Sequence, residues 1–301
     1  MSNNDNLHTA LKNKNDEFYT LFQDIALECD HYIPLFEGKN ILLPCDNAKS
    51  DFWLYFYKHF NEYKIQSLTA TSLGETKGQY IFTNDGINII NKELRGNGDF
   101  QSQEIQDIIN INDIIITNPP FSLFRKLVMI LEKYHKQYLL IGNENTLAST
   151  EIFPLIKDEK LHLGFNKVKD FLTPDNSIQT FGNISWFTNL PIEKEIKPIK
   201  MTCKYDPKNY PSYDNFKAIN VDKVTAIPSD YYEVMGVPIT YLNKHNKNQF
   251  KIMGLAAGNT KNNGLNFDVE YSPSPLDRGG CGVINGVRKY SRVFIKRKDN
   301  K

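Results

Sequence analysis

The chain has 301 residues, of which 40% are hydrophobic, 24% charged and 12% aromatic. These values exclude a peptide module and wholesale disorder, and they fit one large α/β domain with a smaller appendage. No run approaches the roughly 18 apolar residues needed to cross a bilayer, and Met1 to Asp16 is polar without an apolar signal core, so a cytoplasmic protein with no membrane partner is expected.

The net charge of +1 conceals an asymmetry. Residues 1–190 carry 17 Lys and Arg against 24 Asp and Glu, a net −7, whereas residues 191–301 carry 19 against 11, a net +8. A polyanion-gripping region appended to an acidic catalytic domain has this distribution, and so does a set of merely solvated lysines. Cys29, Cys45, Cys203 and Cys281 lie far apart and form no C-x-x-C pair, so neither a bound metal nor a disulfide framework is expected.

In chain order, short apolar runs alternate with amphipathic stretches from Lys39 to about Phe187, the pattern of a mostly parallel sheet with crossover helices. Strands are predicted at Asn40–Pro44, Ile65–Thr69, Asp113–Asn118, Gln137–Gly142 and Ser185–Thr188. Helices are predicted at Asp51–Phe60, with an aromatic stripe, and Ser122–Tyr134, with a leucine stripe; both stripes read as core. Tyr80 to Gly86 reads as a hairpin, projecting from the sheet, with Asn-Asp-Gly at its tip. Near Pro191 to Pro198 the apolar rhythm stops, which places a domain junction there: residues 1–190 catalytic and 191–301 a recognition region. In the latter, Ile284-Asn285-Gly286-Val287 predicts a tight turn before a strand that puts Arg288, Tyr290, Arg292, Phe294, Lys296 and Lys298 on one face.

The chemistry is carried by Asn118-Pro119-Pro120-Phe121 at the end of the buried run Ile114-Ile115-Ile116-Thr117. Ligands of open α/β sheets bind at that edge. Two prolines remove two backbone donors, leaving the carbonyls of Asn118 and Pro119 free to accept from a substrate. An exocyclic amino group on adenine is a poor nucleophile that offers two N–H donors. Acceptance by the Asn118 side chain and the Pro119 carbonyl favours a pyramidal nitrogen able to attack a methyl sulfonium, and Phe121 is placed to stack on a base rotated out of the duplex. The structural alternative is a Pro-Pro turn in which Asn118 only caps.

The sequence resembles the EcoRI-type adenine-specific DNA methyltransferases over nearly its whole length. The likeness rests on Lys14-Asn15-Asp16-Glu17-Phe18-Tyr19-Thr20, Cys45-Asp46-Asn47, Asp51 to Phe56, Gly98-Asp99-Phe100, Asn118 to Ser122, Trp186 to Leu190, Tyr213 to Phe216, Gly236 to Thr240 and Arg288 to Lys298. It implies a Rossmann-like S-adenosylmethionine-dependent methyltransferase sheet, followed by a C-terminal α+β target-recognition region. It further implies S-adenosyl-L-methionine as cofactor, double-stranded DNA as substrate, and a cognate restriction endonuclease as a genetic partner. Carried over residue by residue, Tyr19 and Thr20 enclose the methionine end of the cofactor together with Asn118. Pro44, Cys45 and Asp46 occupy the first strand-loop motif, with Asp46 facing the cofactor ammonium. Asp99 accepts from the cofactor adenine while Phe100 packs on its ring.

Two departures stand out. The glycines usual in the first loop are missing, and no acidic residue ends the second strand to hold the ribose. Recognition falls after the catalytic core because only some 75 residues separate Pro44 from Asn118. Arg288, Arg292 and Lys296 are expected on DNA, and Trp186 is either a second wall of the base pocket or a core residue. RNA bases and protein glutamine amides remain alternative acceptors, the basic region disfavouring the latter, and a catalytically silent nucleic-acid-binding relative is the alternative of another class.

Overall fold

The computed structural model describes residues 18–173, 175, 177–191, 196–259 and 268–298; Lys14 to Glu17 of the N-terminal motif lie outside the described residues. The chain is mixed α/β and divides into two compact units, one of residues 1–144 with 161–192 and the other of 145–160 with 193–301.

The first unit is built on a nine-stranded mixed sheet. Its centre is parallel: β2 (Asn40–Pro44) pairs with β3 (Ser67–Ser72) and with β6 (Ile114–Thr117), which pairs with β7 (Gln137–Asn143). These four strands are short and almost wholly buried, as expected of β-branched and leucine runs covered on both faces. The flanks are antiparallel. On one side β9 (Ile178–Thr188) pairs with β7, β8 (His162–Leu172) with β9, and β1 (Tyr19–Thr20) with β8. On the other side β4 (Gln79–Thr83) and β5 (Ile90–Glu93) continue the sheet from β3.

The predicted hairpin therefore exists but does not project, because its first strand pairs with β3 from Leu68 to Ser72. Asp85 forms its tip, its carboxylate accepting from the amides of Ile87 at 2.9 Å and Asn88 at 2.8 Å; these bonds hold its carboxyl well below the usual carboxylate range. The Asp51–Lys58 helix begins where Ser50 accepts from the Trp53 amide at 3.1 Å. Its Phe52, Trp53, Tyr55 and Phe56 are buried in the main core.

Trp186, for which the sequence allowed either a pocket wall or a core position, is fully buried on β9 and packs edge-on against Phe52 with ring centroids 6.0 Å apart. It is a core residue: with no exposed face it has none to offer a base.

Glu28 is a buried carboxylate on the Phe22–Cys29 helix. It accepts from the Tyr32 hydroxyl and the amides of Phe165 and Asn166, each at 2.8 Å, and from the Asn166 side chain at 3.1 Å. Those amides belong to the part of β8 where its register against β9 shifts, so the carboxylate takes up donors that the irregular ladder cannot.

The second unit contains a four-stranded sheet ordered β10 (Ile219–Asn220), β11 (Met235–Pro238), β15 (Arg292–Arg297) and β12 (Phe250–Ala256). A two-stranded hairpin, β13 (Val283–Ile284) with β14 (Val287–Arg288), precedes β15. Its core gathers Tyr213, Phe216, Ala256, Ile284 and Phe294.

Glu28→Ala leaves several buried N–H groups without an acceptor and is expected to cost about 3 kcal/mol, measured by urea unfolding. A loss below about 0.5 kcal/mol would show that water replaces the carboxylate.

Candidate active site

Two loops leave the carboxyl ends of the neighbouring strands β2 and β6, and one hydroxyl joins them. Thr117, the last residue of β6, donates to the Pro44 carbonyl, and its Oγ1 lies 3.0 Å from Asp46 Oδ2. Asp46 is further fixed by its own amide, which donates to the Thr71 carbonyl at 3.0 Å. Burial pushes the Asp46 carboxyl up to about 7, against the opposing pull of hydrogen bonds from Thr117 and Ser50. Below that pH it is a neutral acid that can donate to Thr117; above it, a buried anion with no cationic partner among the described residues.

Cys45 lies between Pro44 and Asp46 with φ 72, in the left-handed region that glycine usually supplies. The missing glycine is thus missing in residue type and not in backbone shape.

Immediately beyond Thr117, the Asn118 side-chain amide donates to the Phe18 carbonyl at 2.5 Å. Its Oδ1 is buried and has no partner among the described residues. Phe18 precedes β1, whose pairing with Leu172 and Phe171 on β8 holds the N-terminal segment in place. The Pro120 carbonyl accepts from the Leu123 amide at 2.8 Å, while the Pro119 carbonyl receives no backbone hydrogen bond among the described residues. Phe121 stacks on Phe18 with centroids 5.6 Å apart and meets Phe171 and Phe181 edge-on at 6.2 and 5.9 Å. Sequence reasoning misses Phe18, Phe171 and Phe181, which only the pairing of β1, β8 and β9 brings to the tetrapeptide.

Among the described residues two more buried hydroxyls lack partners, Thr20 Oγ1 on β1 and Thr71 Oγ1 near the end of β3, although buried polar groups are seldom left unpaired. Tyr19 is half exposed, at 50%.

Gly98, at φ 86, lies so close to the end of β3 that a Cβ there would meet the Ser72 carbonyl oxygen at 2.3 Å. Asp99 follows, with Oδ1 accepting from the Gln101 amide at 2.9 Å, and Phe100 is buried. One carboxylate oxygen of Asp99 thus serves the local turn, and the other has no hydrogen-bond donor among the described residues.

Arg288, Arg292 and Lys296 belong to the second unit. Arg288 is exposed. Arg292 is not available as expected: its side chain is only 13% exposed, and its guanidinium lies 3.7 Å from Asp222 and bonds Asn220 at 3.3 Å. Lys296 pairs with Glu233 at 3.2 Å. The alternation that put both beside Phe294 turned that face toward the core, where Phe294 is buried. Among the described residues no group of three or more His, Cys, Asp and Glu is placed to hold a metal ion, and no helix is long and apolar enough to cross a membrane.

Left-handed backbone costs a non-glycine residue about 1–2 kcal/mol, so Cys45→Gly is expected to keep or raise stability, by up to about 1 kcal/mol after the entropy of the unfolded chain. Cys45→Val should lower it, a β-branched residue being least suited to positive φ. Urea unfolding checks the pair, and a loss with glycine would contradict the backbone account.

Because burial raises the folded-state pKa of Asp46 from the ordinary 3.8, its contribution to stability is full below about pH 4 and is lost as pH rises to about 7. The stability difference between Asp46→Asn and the parent, measured without ligand, should therefore shift in favour of the variant across that interval and level off above it. A pH-independent difference would place the carboxyl in water.

A family model described as "Adenine-specific methyltransferase EcoRI" matches residues 6–177 and 173–298. The chain is 34% identical over 97% of its length to the Type II methyltransferase M.MpnI of Mycoplasma pneumoniae, covering 98% of that protein. It is likewise 34% identical to the Type II methyltransferase M.EcoRI of Escherichia coli, covering 97% of this chain and 96% of that one. The Type II methyltransferase M.MgeORF184P of Mycoplasma genitalium is 33% identical, with 96% and 97% covered. No solved structure matches. On a match that runs through both units, the chain belongs to the EcoRI family of adenine-specific methyltransferases.

Proposed function

We propose that this enzyme transfers a methyl group from S-adenosylmethionine to the exocyclic amino group of an adenine rotated out of duplex DNA, as the modifying member of a restriction-modification system. The observation that carries the reading is the state of Asn118: its amide nitrogen is held by the Phe18 carbonyl, and its Oδ1 is buried without a partner. The side chain is thereby fixed as an acceptor awaiting a donor.

When bound, S-adenosylmethionine supplies an electrophilic methyl group on a sulfonium. The buried unpaired hydroxyls of Thr20 and Thr71, together with Asp46, fit such a polar ligand in a Rossmann-like sheet. Asp46, as the carboxylate, takes the ammonium of the methionine end, with Tyr19, Thr20, Pro44 and Cys45 around it. Thr71, near the end of the second parallel strand, stands where ribose-binding residues of open α/β sheets lie and replaces the absent acid. The free oxygen of Asp99 takes the cofactor's adenine amino group beside Phe100.

On the substrate side, Asn118 Oδ1 and the Pro119 carbonyl accept the two N–H bonds of the adenine amino group. Its lone pair then leaves conjugation with the ring and is free to form the N–C bond as the S–C bond breaks. The methylated nitrogen is acidic and gives its proton to water, so no side-chain base is required. Pro120 keeps the loop rigid, and Phe121 stacks on the extruded base. The second unit grips DNA, with Arg288 among its contacts.

Asn118→Ala is expected to leave S-adenosylmethionine affinity within a few-fold by calorimetry. Methyl transfer should fall by at least about a hundredfold, as for a donor or acceptor used in the transition state. The assay supplies methyl-labelled cofactor with separate duplex DNA and RNA and ends in nucleoside analysis. Label in N6-methyladenine of DNA is the expected result; label in RNA alone would move the acceptor, and cofactor binding without any transfer would mark a silent relative.

A further inference from the structure

The second unit carries the excess of positive charge, but its cations are not equivalent. Those on β15 are engaged within the unit: Arg292 with Asp222 and Asn220, Lys296 with Glu233, and Arg297 over the Tyr232 ring at 4.7 Å and on the Ser229 carbonyl. Arg278 and Arg288 differ, being exposed and without an acidic partner among the described residues. Burial raises the Cys281 thiol; the Arg288 and Arg278 charges oppose that rise and Asp277 adds to it.

That loop and the following hairpin are held unusually firmly for surface segments. The Asp214 carboxylate accepts from the turn amides of Asn285 at 3.2 Å and Gly286 at 2.8 Å, whose φ values of 50 and 71 make a tight hairpin. Asn215 ties the hairpin to the loop, accepting from the Val283 amide at 2.9 Å and donating to the Cys281 carbonyl at 2.9 Å and to Asp277 at 3.2 Å. Asp277 in turn accepts from the Tyr271 hydroxyl and the amides of Ser274 and Gly279 at 2.6, 2.9 and 2.8 Å. Arg278 itself sits at φ 49, a conformation that costs a non-glycine residue energy and is held by this frame.

On the same frame, just past β14, Tyr290 is 88% exposed and Val287 59%. In sequence Tyr290 follows Arg288 and Lys289, just beyond a hairpin whose base is closed by the Lys289 amide on the Gly282 carbonyl at 2.8 Å.

We infer that Arg278, Arg288 and Tyr290 form the DNA-contacting face of the second unit, the two guanidiniums on backbone phosphates and the tyrosine ring against the bases. The inference rests on the reading of duplex DNA as substrate. Guanidiniums suit phosphates by their forked donors, and an exposed ring flanked by cations provides a stacking or groove contact that a phosphate grip alone does not. The cations of β15, neutralised in place, shape the unit and do not hold the nucleic acid.

The test measures binding of a fluorescent duplex of about 30 base pairs by anisotropy across a salt series, with S-adenosylhomocysteine present. Removing both phosphate-binding guanidiniums in Arg278→Ala/Arg288→Ala should lower the slope of log K against log salt by about 1.8, with at least a tenfold loss of affinity at low salt. Lys296→Ala should leave the slope within about 0.3 of the parent value, one phosphate contact being worth about 0.9. Tyr290→Ala should weaken binding several-fold without changing the slope, and Tyr290→Phe should restore it, which an effect on folding would not do. All variants should unfold at the parent temperature, since the substituted side chains are exposed or paired at the surface. If the parent binds duplex and the double variant keeps its slope, the proposed face is wrong while the DNA reading stands. If the parent binds no duplex, the DNA reading fails and the inference falls with it.

Discussion

The hydroxyl of Thr117 is the point on which the catalytic loop and the first loop are registered against each other. It can act there only because Ile114, Ile115 and Ile116 are fully buried and pin β6 between β2 and β7. One residue of slippage would send every side chain of the strand to the opposite face, and Thr117 would no longer reach Pro44 and Asp46. The packing of three isoleucines thus fixes where the chain departs for Asn118. A Thr→Val change at this position would keep the shape and remove the bond, leaving the buried Asp46 carboxyl with less to offset its desolvation.

From that exit, the chemistry of Asn118 depends on a choice between the two ends of an amide. A carboxamide offers donors at one end and an acceptor at the other. Phe18 presents a carbonyl, which can only accept, so the nitrogen must face it and the oxygen must face away. The selection is made by a backbone group a hundred positions earlier in sequence, on a segment held by pairing with β8. Leaving Oδ1 buried and unpaired costs the free protein on the order of 1–3 kcal/mol. On the proposed reading, a substrate N–H would remove that cost, and because the hydrogen bond would strengthen as the nitrogen pyramidalises, part of the gain would fall on the transition state.

What was legible in the sequence divides along the range of the interactions. β2, β6 and β7 show themselves as buried aliphatic runs, and the tetrapeptide shows itself because two prolines after an asparagine alter local backbone chemistry irrespective of context. Phe18, Thr71 and Glu28 carry no such local mark. Their importance arises from β1 meeting β8, from Asp46 reaching across to β3, and from a helix carboxylate filling a β8 irregularity. The hairpin at Tyr80 was visible in its turn residues, but its edge pairing with β3 was not. At the C-terminus the period-two pattern put Arg292, Phe294 and Lys296 on one side of a single strand from Arg288 to Lys298, which the structure interrupts between β14 and β15. It could not tell whether that side faced water, and the buried Phe294 decided that it did not.

Cys45 shows why the first loop escapes a motif search while keeping its shape. A glycine-rich loop is a statement about allowed φ and about space near a ligand, and residue type is only the usual way of meeting it. Here the φ condition is met by a cysteine at 72, held between a proline whose carbonyl is bonded by Thr117 and an aspartate whose amide is bonded by Thr71. Bonds on both sides supply what glycine's freedom would otherwise supply, at the cost of some strain. Because the constraint comes from the Thr117 hydroxyl and the backbone carbonyl of residue 71, these two groups and Cys45 act together: a glycine at position 45 would relax the need for the bonds, whereas loss of either bond would leave the cysteine free to return to the β region and carry Asp46 away from its place.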